Sequence, residues 1–191
     1  MDKKLFIISG CNGSGKTTAA QVLIPTVFER TEFVNADNIA RQISPDDPGA
    51  KAIEAGRLML QRIDDLIDQG NSFTIETTLS TRSHKSLINK AHNNGYQVML
   101  VFFWLNSPDL AIDRVAQRVS RGGHHIPSDV IRRRYVKGIR NLFDIFIPIC
   151  DIWSIYDNSI NPRCMIASGT KNNMINVVDE TKFNLIKLYG Q

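Results

Sequence analysis

The sequence of 191 residues is poor in cysteine and has no long hydrophobic run. Its three cysteines, Cys11, Cys150 and Cys164, are an odd number without metal-binding spacing, as is typical of a reducing cytoplasm. The longest apolar stretch, Val98 to Leu105, is too short to span a bilayer. The first ten residues lack the small-residue cleavage site of a secretory signal. We therefore expect a cytoplasmic protein without a membrane segment.

Pro-rich linkers, low-complexity tracts and internal repeats are also missing, which predicts a single domain over residues 1–191. The net charge of +4 is small but unevenly spread. Between residues 112 and 142 there are eight Lys or Arg and two Asp, so this window carries +6 and the remainder −2. A local positive field of this kind predicts a phosphate partner, on either a small ligand or a nucleic acid.

Apolar runs alternate with helical patterns along the chain. Strands are predicted at 5–9, 32–36, 72–76, 97–105 and 151–156, and helices at 16–28, 50–69, 83–93, 107–121 and 128–148. Five alternations predict an α/β fold with a doubly wound parallel sheet, flanked by helices, that binds ligands at the carboxyl ends of its strands. Segments 163–167 and 174–178 predict a C-terminal edge hairpin, and the last ten residues a closing helix.

Some details of the predicted helices can be tested individually. Pro25 is expected to kink or end the first helix, and Ser107 and Ser128 are expected to cap the fourth and fifth. The apolar spacing of the second helix predicts that it buries one face, formed by Ile53, Leu60, Ile63 and Ile67.

A glycine-rich loop lies between the first strand and the first helix, with the pattern Gly-x-x-x-x-Gly-Lys-Thr. Backbone N–H groups of such a P-loop surround the β-phosphate of a nucleotide, and the helix dipole adds to the attraction. Lys16 is predicted to reach the β- and γ-phosphates, and the Thr17 hydroxyl to bind Mg²⁺. The sequence therefore predicts ATP with magnesium, although the side chains of Cys11 and Asn12 are given no chemistry. The predicted nucleotide-binding residues are Gly10, Asn12, Gly13, Ser14, Gly15, Lys16, Thr17 and Thr18.

Two carboxylates follow apolar strands beside this loop. Asp37 comes at the end of the second strand and Glu76 at the end of the third. Both are expected to face the ligand cleft, where Asp37 would serve as base or orienting group for an attacking hydroxyl. Capping of the next helix is the structural alternative for Asp37. Glu76 is expected to bind substrate hydroxyls or to hold magnesium through water, with a purely structural role as the alternative.

The basic window predicts a lid over residues 118–135. Arg114, Arg118 and Arg121 are spaced i, i+4, i+7 and form one stripe of a helix. After Gly122-Gly123, the spacing repeats in a second stripe, formed by Arg133, Lys137 and Arg140. Two such stripes around a flexible joint are typical of a lid that closes on transferring phosphates.

Two other interpretations of this basic window remain. A solvated basic face is favoured for Arg132, Arg134 and Lys137 individually. A nucleic-acid surface is disfavoured, because few aromatic residues are interleaved with the charges.

The P-loop, Val34-Asn-Ala-Asp37, Ile75-Glu-Thr-Thr78 and the Arg-rich segment around Gly-Gly-His-x-Ile-Pro127 together resemble the zeta toxin family and its P-loop kinase relatives. The resemblance implies a kinase that uses ATP to phosphorylate the 3′-hydroxyl of UDP-N-acetylglucosamine. It also implies Asp37 as base, Glu76 and Thr78 in the substrate cleft, and Arg114 at the phosphates.

The sequence departs from this family pattern at two places. The family's second lid arginine falls at His124, so Arg118 or Arg121 would replace it. The helix stretch from Arg57 to Arg62 lacks the family's acidic substrate contact. An antitoxin partner is compatible with the resemblance, but no residue indicates one.

The function predicted from the sequence is an ATP-dependent kinase acting on a small-molecule hydroxyl, with Lys16, Asp37, Arg114, Arg118 and Arg121 as catalytic residues. One alternative is a regulatory ATPase without an acceptor. Another is an end-kinase for nucleic acid, which requires salt-sensitive oligonucleotide binding.

Overall fold

A computed structural model describes residues 2–26, 31–123, 125–171 and 175–190. In these residues a seven-stranded sheet has the order β2-β3-β1-β4-β5-β6-β7. The strands are β1 (Lys3–Gly10), β2 (Glu32–Val34), β3 (Phe73–Thr77), β4 (Tyr96–Trp104), β5 (Ile152–Asp157), β6 (Cys164–Thr170) and β7 (Ile175–Val177). The first five are parallel, while β6 and β7 pair antiparallel at one edge. The predicted doubly wound sheet with an edge hairpin is confirmed.

The connections between the parallel strands are helical. The helices are α1 (Lys16–Thr26), α2 (Ala36–Ile43), α3 (Ala52–Asp68), α4 (His84–Asn93), α5 (Pro108–Val119), α6 (Ser128–Asn141), α7 (Ile147–Ile149) and α8 (Glu180–Gly190). A 3₁₀ turn at Gly49–Lys51 precedes α3, and a π-helical turn at Leu142–Phe146 joins α6 to α7. Within the described ranges, no helix is long and apolar enough to cross a membrane.

The core lies on both faces of the sheet, and β1, the middle one of the five parallel strands, is buried from Leu5 to Gly10. The larger cluster packs the buried residues of α3, α4, α5 and α6 against β1, β3, β4 and β5. The smaller cluster, formed around Phe6, Ile8 and Phe103, is covered by Ala19 and Ala20 of α1. Burial on both faces explains why the central strands are apolar almost throughout rather than alternating.

Several predicted boundaries differ from the structure. Pro25 lies inside α1, which continues to Thr26, while the predicted end at Phe28 lies outside the described residues. Ser107 caps α5 as predicted, since its side chain accepts the N–H of Leu110 at 3.1 Å. Ser128 does not cap α6: it is the first helical residue, and Pro127 takes the cap position without a side-chain hydrogen bond.

The predicted buried face of α3 is wrong in its first half. Ile53 and Leu60 are 78% and 59% exposed. The buried residues are instead Ala55, Met59, Ile63, Leu66 and Ile67. These residues follow the i, i+4, i+8 spacing along one side of the helix. The side of α3 that faces the core is therefore not the side that Ile53 and Leu60 predict.

Two helical glycines provide a test of this packing. A Cβ on Gly138 in α6 would lie 2.6 Å from the backbone oxygen of Thr78, whereas one on Gly56 in α3 would meet nothing within 4 Å. We expect Gly138→Ala to lower the free energy of unfolding by about 1–3 kcal/mol because the loop after β3 must move. Gly56→Ala should raise it by about 0.5–1 kcal/mol through helix propensity. Urea unfolding measures both, and equal stabilities would contradict the packing described.

Candidate functional site

The glycine-rich loop connects β1 to α1 and packs against α5. Gly13 has a φ of +78°, and a Cβ at this position would lie 2.6 Å from the backbone oxygen of Ala111 in α5. Only glycine meets both the positive φ and the close approach. The loop thus leads directly into the N-terminus of α1, as expected for a phosphate-binding turn.

Four polar side chains meet at the start of α1. Thr17 Oγ1 donates to Glu76 Oε2 at 2.9 Å, and Asn35 Nδ2 donates to the same oxygen at 2.9 Å. Lys16 Nζ lies 3.7 Å from Glu76 Oε1 and donates to the Cys11 backbone oxygen at 2.9 Å. Glu76 therefore stands beside the predicted magnesium ligand Thr17, as its position at the end of β3 suggested.

The loop contains two further side chains with contrasting chemistry. The Ser14 hydroxyl is buried and has no hydrogen-bond partner among the described residues, so the loop has an unsatisfied polar atom that a ligand oxygen could pair with. Burial raises the pKa of the Cys11 thiol to about 11. Burial thus disfavours the thiolate, the nucleophilic form of cysteine.

A cleft of about 830 Å³ opens beside the loop, between α2, the start of α3 and α5. It brings together four of the predicted catalytic side chains, Asp37, Arg114, Arg118 and Arg121. The cleft is also adjacent to the phosphate loop, because a Cβ on Gly13 would lie 3.3 Å from Arg114 Cβ. Sequence reasoning missed two charged residues of this lining, Arg41 and Asp46.

The position of Asp37 differs from the prediction. Strand β2 ends at Val34, and Asp37 lies in the first turn of α2 instead of at the strand end. Asn35 caps this helix, since its Oδ1 accepts the backbone N–H groups of Asp37 at 2.7 Å and Asn38 at 3.2 Å. The side chain of Asp37 is exposed to the cleft. Asn35, which links Asp37 to Glu76, was not singled out in the sequence.

Arg114 is engaged by the turn that follows β5. Its two terminal nitrogens donate to the backbone oxygens of Asn158 at 2.9 Å and Ser159 at 3.0 Å. These bonds fix the guanidinium at the border between the cleft and the phosphate loop. A phosphate contact by Arg114 stays a prediction.

The second predicted arginine stripe does not line the cleft. Arg133, Lys137 and Arg140 are exposed, and none is among the described residues of the lining. Arg134, interpreted from the sequence as solvated, is half-buried and donates to Asn12 Oδ1 of the phosphate loop at 3.3 Å. Arg134 therefore contacts the phosphate loop from a face of α6 other than the predicted one, which carries Arg133, Lys137 and Arg140.

Two further positions were singled out from the sequence, Thr78 and His124. The Thr78 hydroxyl pairs with the Ser80 hydroxyl at 2.8 Å, and Thr78 is not part of the described lining. His124, where the family's second lid arginine was expected, lies outside the described residues.

The contact between Arg134 and Asn12 leads to a matched prediction. We expect Arg134→Ala to weaken ATP binding about tenfold, because it removes a cation next to the phosphate loop. Arg133→Ala removes the same side chain from the adjacent exposed position and should leave ATP binding unchanged. Titration calorimetry of both variants checks this, and equal affinities would remove Arg134 from the site.

Comparison with known proteins shows the family of the chain. The family model described as Zeta toxin matches residues 1–144. An uncharacterized protein of Haemophilus influenzae is 33% identical over 135 residues, covering 71% of this chain and 94% of its own length.

Solved structures of two other systems share the fold. A chain in the AvrRxo1-ORF1:AvrRxo1-ORF2 complex superposes with a TM-score of 0.78 in the crystal with sulphate ions and 0.77 in the crystal with ATP. In both, it is 21% identical over 97% of this chain, which spans 63% of that longer chain. A chain of the PezAT chromosomal toxin-antitoxin system of Streptococcus pneumoniae has a TM-score of 0.64 at 18% identity, covering 98% of this chain and 86% of its own.

At these identities the solved structures show the fold alone, and the family assignment rests on the sequence match. That match spans well over half of the chain and includes the phosphate loop, Asp37, Glu76 and the four arginines of the cleft. The chain therefore belongs to the zeta toxin family.

Proposed function

We propose that this protein is an ATP-dependent kinase that transfers the γ-phosphoryl group to a hydroxyl of a small molecule bound in the 830 Å³ cleft. One observation carries the proposal: the cleft with Asp37 and four arginines adjoins the phosphate loop, and Asn35 hydrogen-bonds both the backbone of Asp37 and the side chain of Glu76. Hydrogen bonds of Asn35 thus connect the proposed phosphate site with the proposed acceptor site.

Nucleotide binding is supported by the loop itself. Its backbone N–H groups, the N-terminus of α1 and the buried Lys16 together attract the β- and γ-phosphates. The fold relative AvrRxo1-ORF1:-ORF2 was crystallised with ATP.

Magnesium fits the same end of the loop. The Thr17 hydroxyl and the Glu76 carboxylate, with their oxygens 2.9 Å apart, are ligands of the type that Mg²⁺ prefers. When bound, the ion neutralises charge on the β- and γ-phosphates. Thr17 would bind it directly, and Glu76 directly or through water.

The transfer step needs a group that orients the acceptor hydroxyl. Asp37 is exposed at the cleft and accepts the hydroxyl proton as the acceptor oxygen bonds to the γ-phosphorus. The bond between the γ-phosphorus and the bridging oxygen breaks, and ADP leaves with that oxygen. Arg118 and Arg121 line the same cleft and stabilise the negative charge on the transferring group.

The acceptor is to be sought among small molecules with free hydroxyls, and UDP-N-acetylglucosamine is the first compound to try. The family's acidic contact is lacking between Arg57 and Arg62, but Asp46 places a carboxylate in the cleft from the turn before α3. Asp46 is our candidate for the contact with substrate hydroxyls.

Incubation with γ-labelled ATP and a fractionated cell extract tests the proposal. We expect label in one small-molecule fraction with the wild-type protein and none with Lys16→Met. Transfer to an oligonucleotide instead, with salt-sensitive binding, would identify a nucleic-acid kinase.

A further inference from the structure

The turn at the end of β5 lies beyond the residues that the family model matches, yet it touches the phosphate loop. Asn158 Nδ2 donates to the Ser14 backbone oxygen at 2.8 Å, although 144 residues separate the two. A Cβ on Gly15 would lie 2.6 Å from the same nitrogen. The amide of Asn158 is therefore packed directly on the Ser14–Gly15 peptide.

This contact fixes the direction of a loop donor. In a planar trans peptide the C=O and the following N–H point to opposite sides. Because Asn158 holds the Ser14 oxygen on its own side, the N–H of Gly15 is held toward the opposite side. The orientation of one of the N–H groups available to a phosphate thus depends on a side chain from the C-terminal part of the chain.

The turn itself is anchored from three elements. Asp157 is buried; its Oδ1 accepts the N–H of Ser159 at 2.8 Å, and its Oδ2 pairs with Lys182 Nζ of α8 at 3.0 Å. The Asn158 N–H donates to Trp104 O of β4 at 2.9 Å. Arg114 of α5 donates to the backbone oxygens of Asn158 and Ser159. Burial by itself raises the pKa of Asp157, but the bonds from Ser159 and Lys182 outweigh it and hold this pKa below its ordinary value.

We propose that Asn158 is a positioning residue for nucleotide binding, which acts through the Ser14–Gly15 peptide and is held in place by the Asp157–Lys182 pair. The inference rests on the proposed function, since it supposes that the loop binds a nucleotide. It assigns a role in phosphate binding to residues outside the matched region, and Asn158 itself need not touch the ligand.

Titration of Asn158→Ala with MgATP and with inorganic pyrophosphate tests the proposal. We expect both dissociation constants to rise roughly tenfold, because one loop hydrogen bond is lost. Once an acceptor is known, KM for ATP should rise while kcat at saturating ATP changes less than about threefold. The melting temperature should fall by no more than about 4 °C. Asn184→Ala removes the same amide from an exposed position of α8 and should match the wild type in every measurement.

A second pair of variants examines the anchor. Asp157→Asn should weaken pyrophosphate binding in the same direction as Asn158→Ala. Asp179→Asn removes the other carboxylate near Lys182, at 3.4 Å, and should leave binding unchanged. Asn158→Leu keeps a similar side-chain size without the amide donor and adds no charge, so it serves if the alanine variant does not fold.

The outcomes separate the inference from the proposed function. Wild-type protein that binds neither MgATP nor pyrophosphate would refute the proposed function. Wild-type binding with unchanged affinity in the Asn158 variants would overturn the inference and leave the function standing. A fall in kcat without a change in KM would also overturn it, since that result places Asn158 in the transfer step.

Discussion

Replacing Lys16 with methionine is expected to lower kcat/KM for phosphoryl transfer by about 10³-fold or more. Lys16 is 7% exposed, and its ammonium lies at the start of α1 next to Glu76. In the proposed function it is the cation at the β- and γ-phosphates, where charge grows during transfer. Methionine has a similar length and fills the space without the charge, so the loss should appear in turnover and not in folding.

Steady-state assays with ATP as the varied substrate measure this effect, with thermal unfolding as the check on structure. Lys137→Met makes the same replacement at an exposed position of α6 and should behave as wild type. A Lys16→Met enzyme within tenfold of the wild type would show that the phosphates are not held at this loop during catalysis.

The replacement Asp37→Asn is expected to keep ATP binding within about twofold and to lower turnover with the true acceptor about a hundredfold or more. Asparagine keeps the shape of the side chain and leaves the capping of α2 intact, because the cap is Asn35. What is lost is the carboxylate that, in the proposed function, accepts the proton from the acceptor hydroxyl. The expected signature is a lower kcat with nearly unchanged affinity for the nucleotide.

Asp46→Asn provides the comparison within the same cleft. If Asp46 binds acceptor hydroxyls, its variant should raise KM for the acceptor and change kcat much less than Asp37→Asn does. If instead Asp46→Asn loses turnover while Asp37→Asn does not, the roles of these two carboxylates would have to be exchanged.

The phosphate loop could be predicted from the sequence because its determinants are local. A buried strand, three glycines with Lys16 and Thr17, and a helix specify the turn without reference to the rest of the chain. The same holds for the alternation of strands and helices, since each apolar run and each helical pattern lies within its own segment. That Arg114 and Arg118 share a face was also predictable from helical spacing, whereas Arg121, predicted on the same helix, lines the cleft from the turn after α5, which ends at Val119.

Arg134 could not be identified in this way. It follows Arg132 and Arg133, and three consecutive helical residues point in three different directions. Which of them reaches Asn12 depends on how α6 is rotated, and Tyr135 and Ile131 fix this rotation by packing into the core. Asp37 was misplaced for a related reason: Asn35 ends β2 by capping α2, and a cap after such a short strand leaves little trace in hydrophobic periodicity.

The fate of the γ-phosphate tests the central claim most directly. ADP and inorganic phosphate can be quantified in parallel while the protein turns over ATP with a fractionated metabolite pool. The kinase account predicts that ADP exceeds inorganic phosphate by the amount of phosphorylated acceptor formed, and that Asp37→Asn abolishes this excess. Equal amounts of ADP and inorganic phosphate with every fraction would contradict it, and would identify the protein as an ATPase without an acceptor.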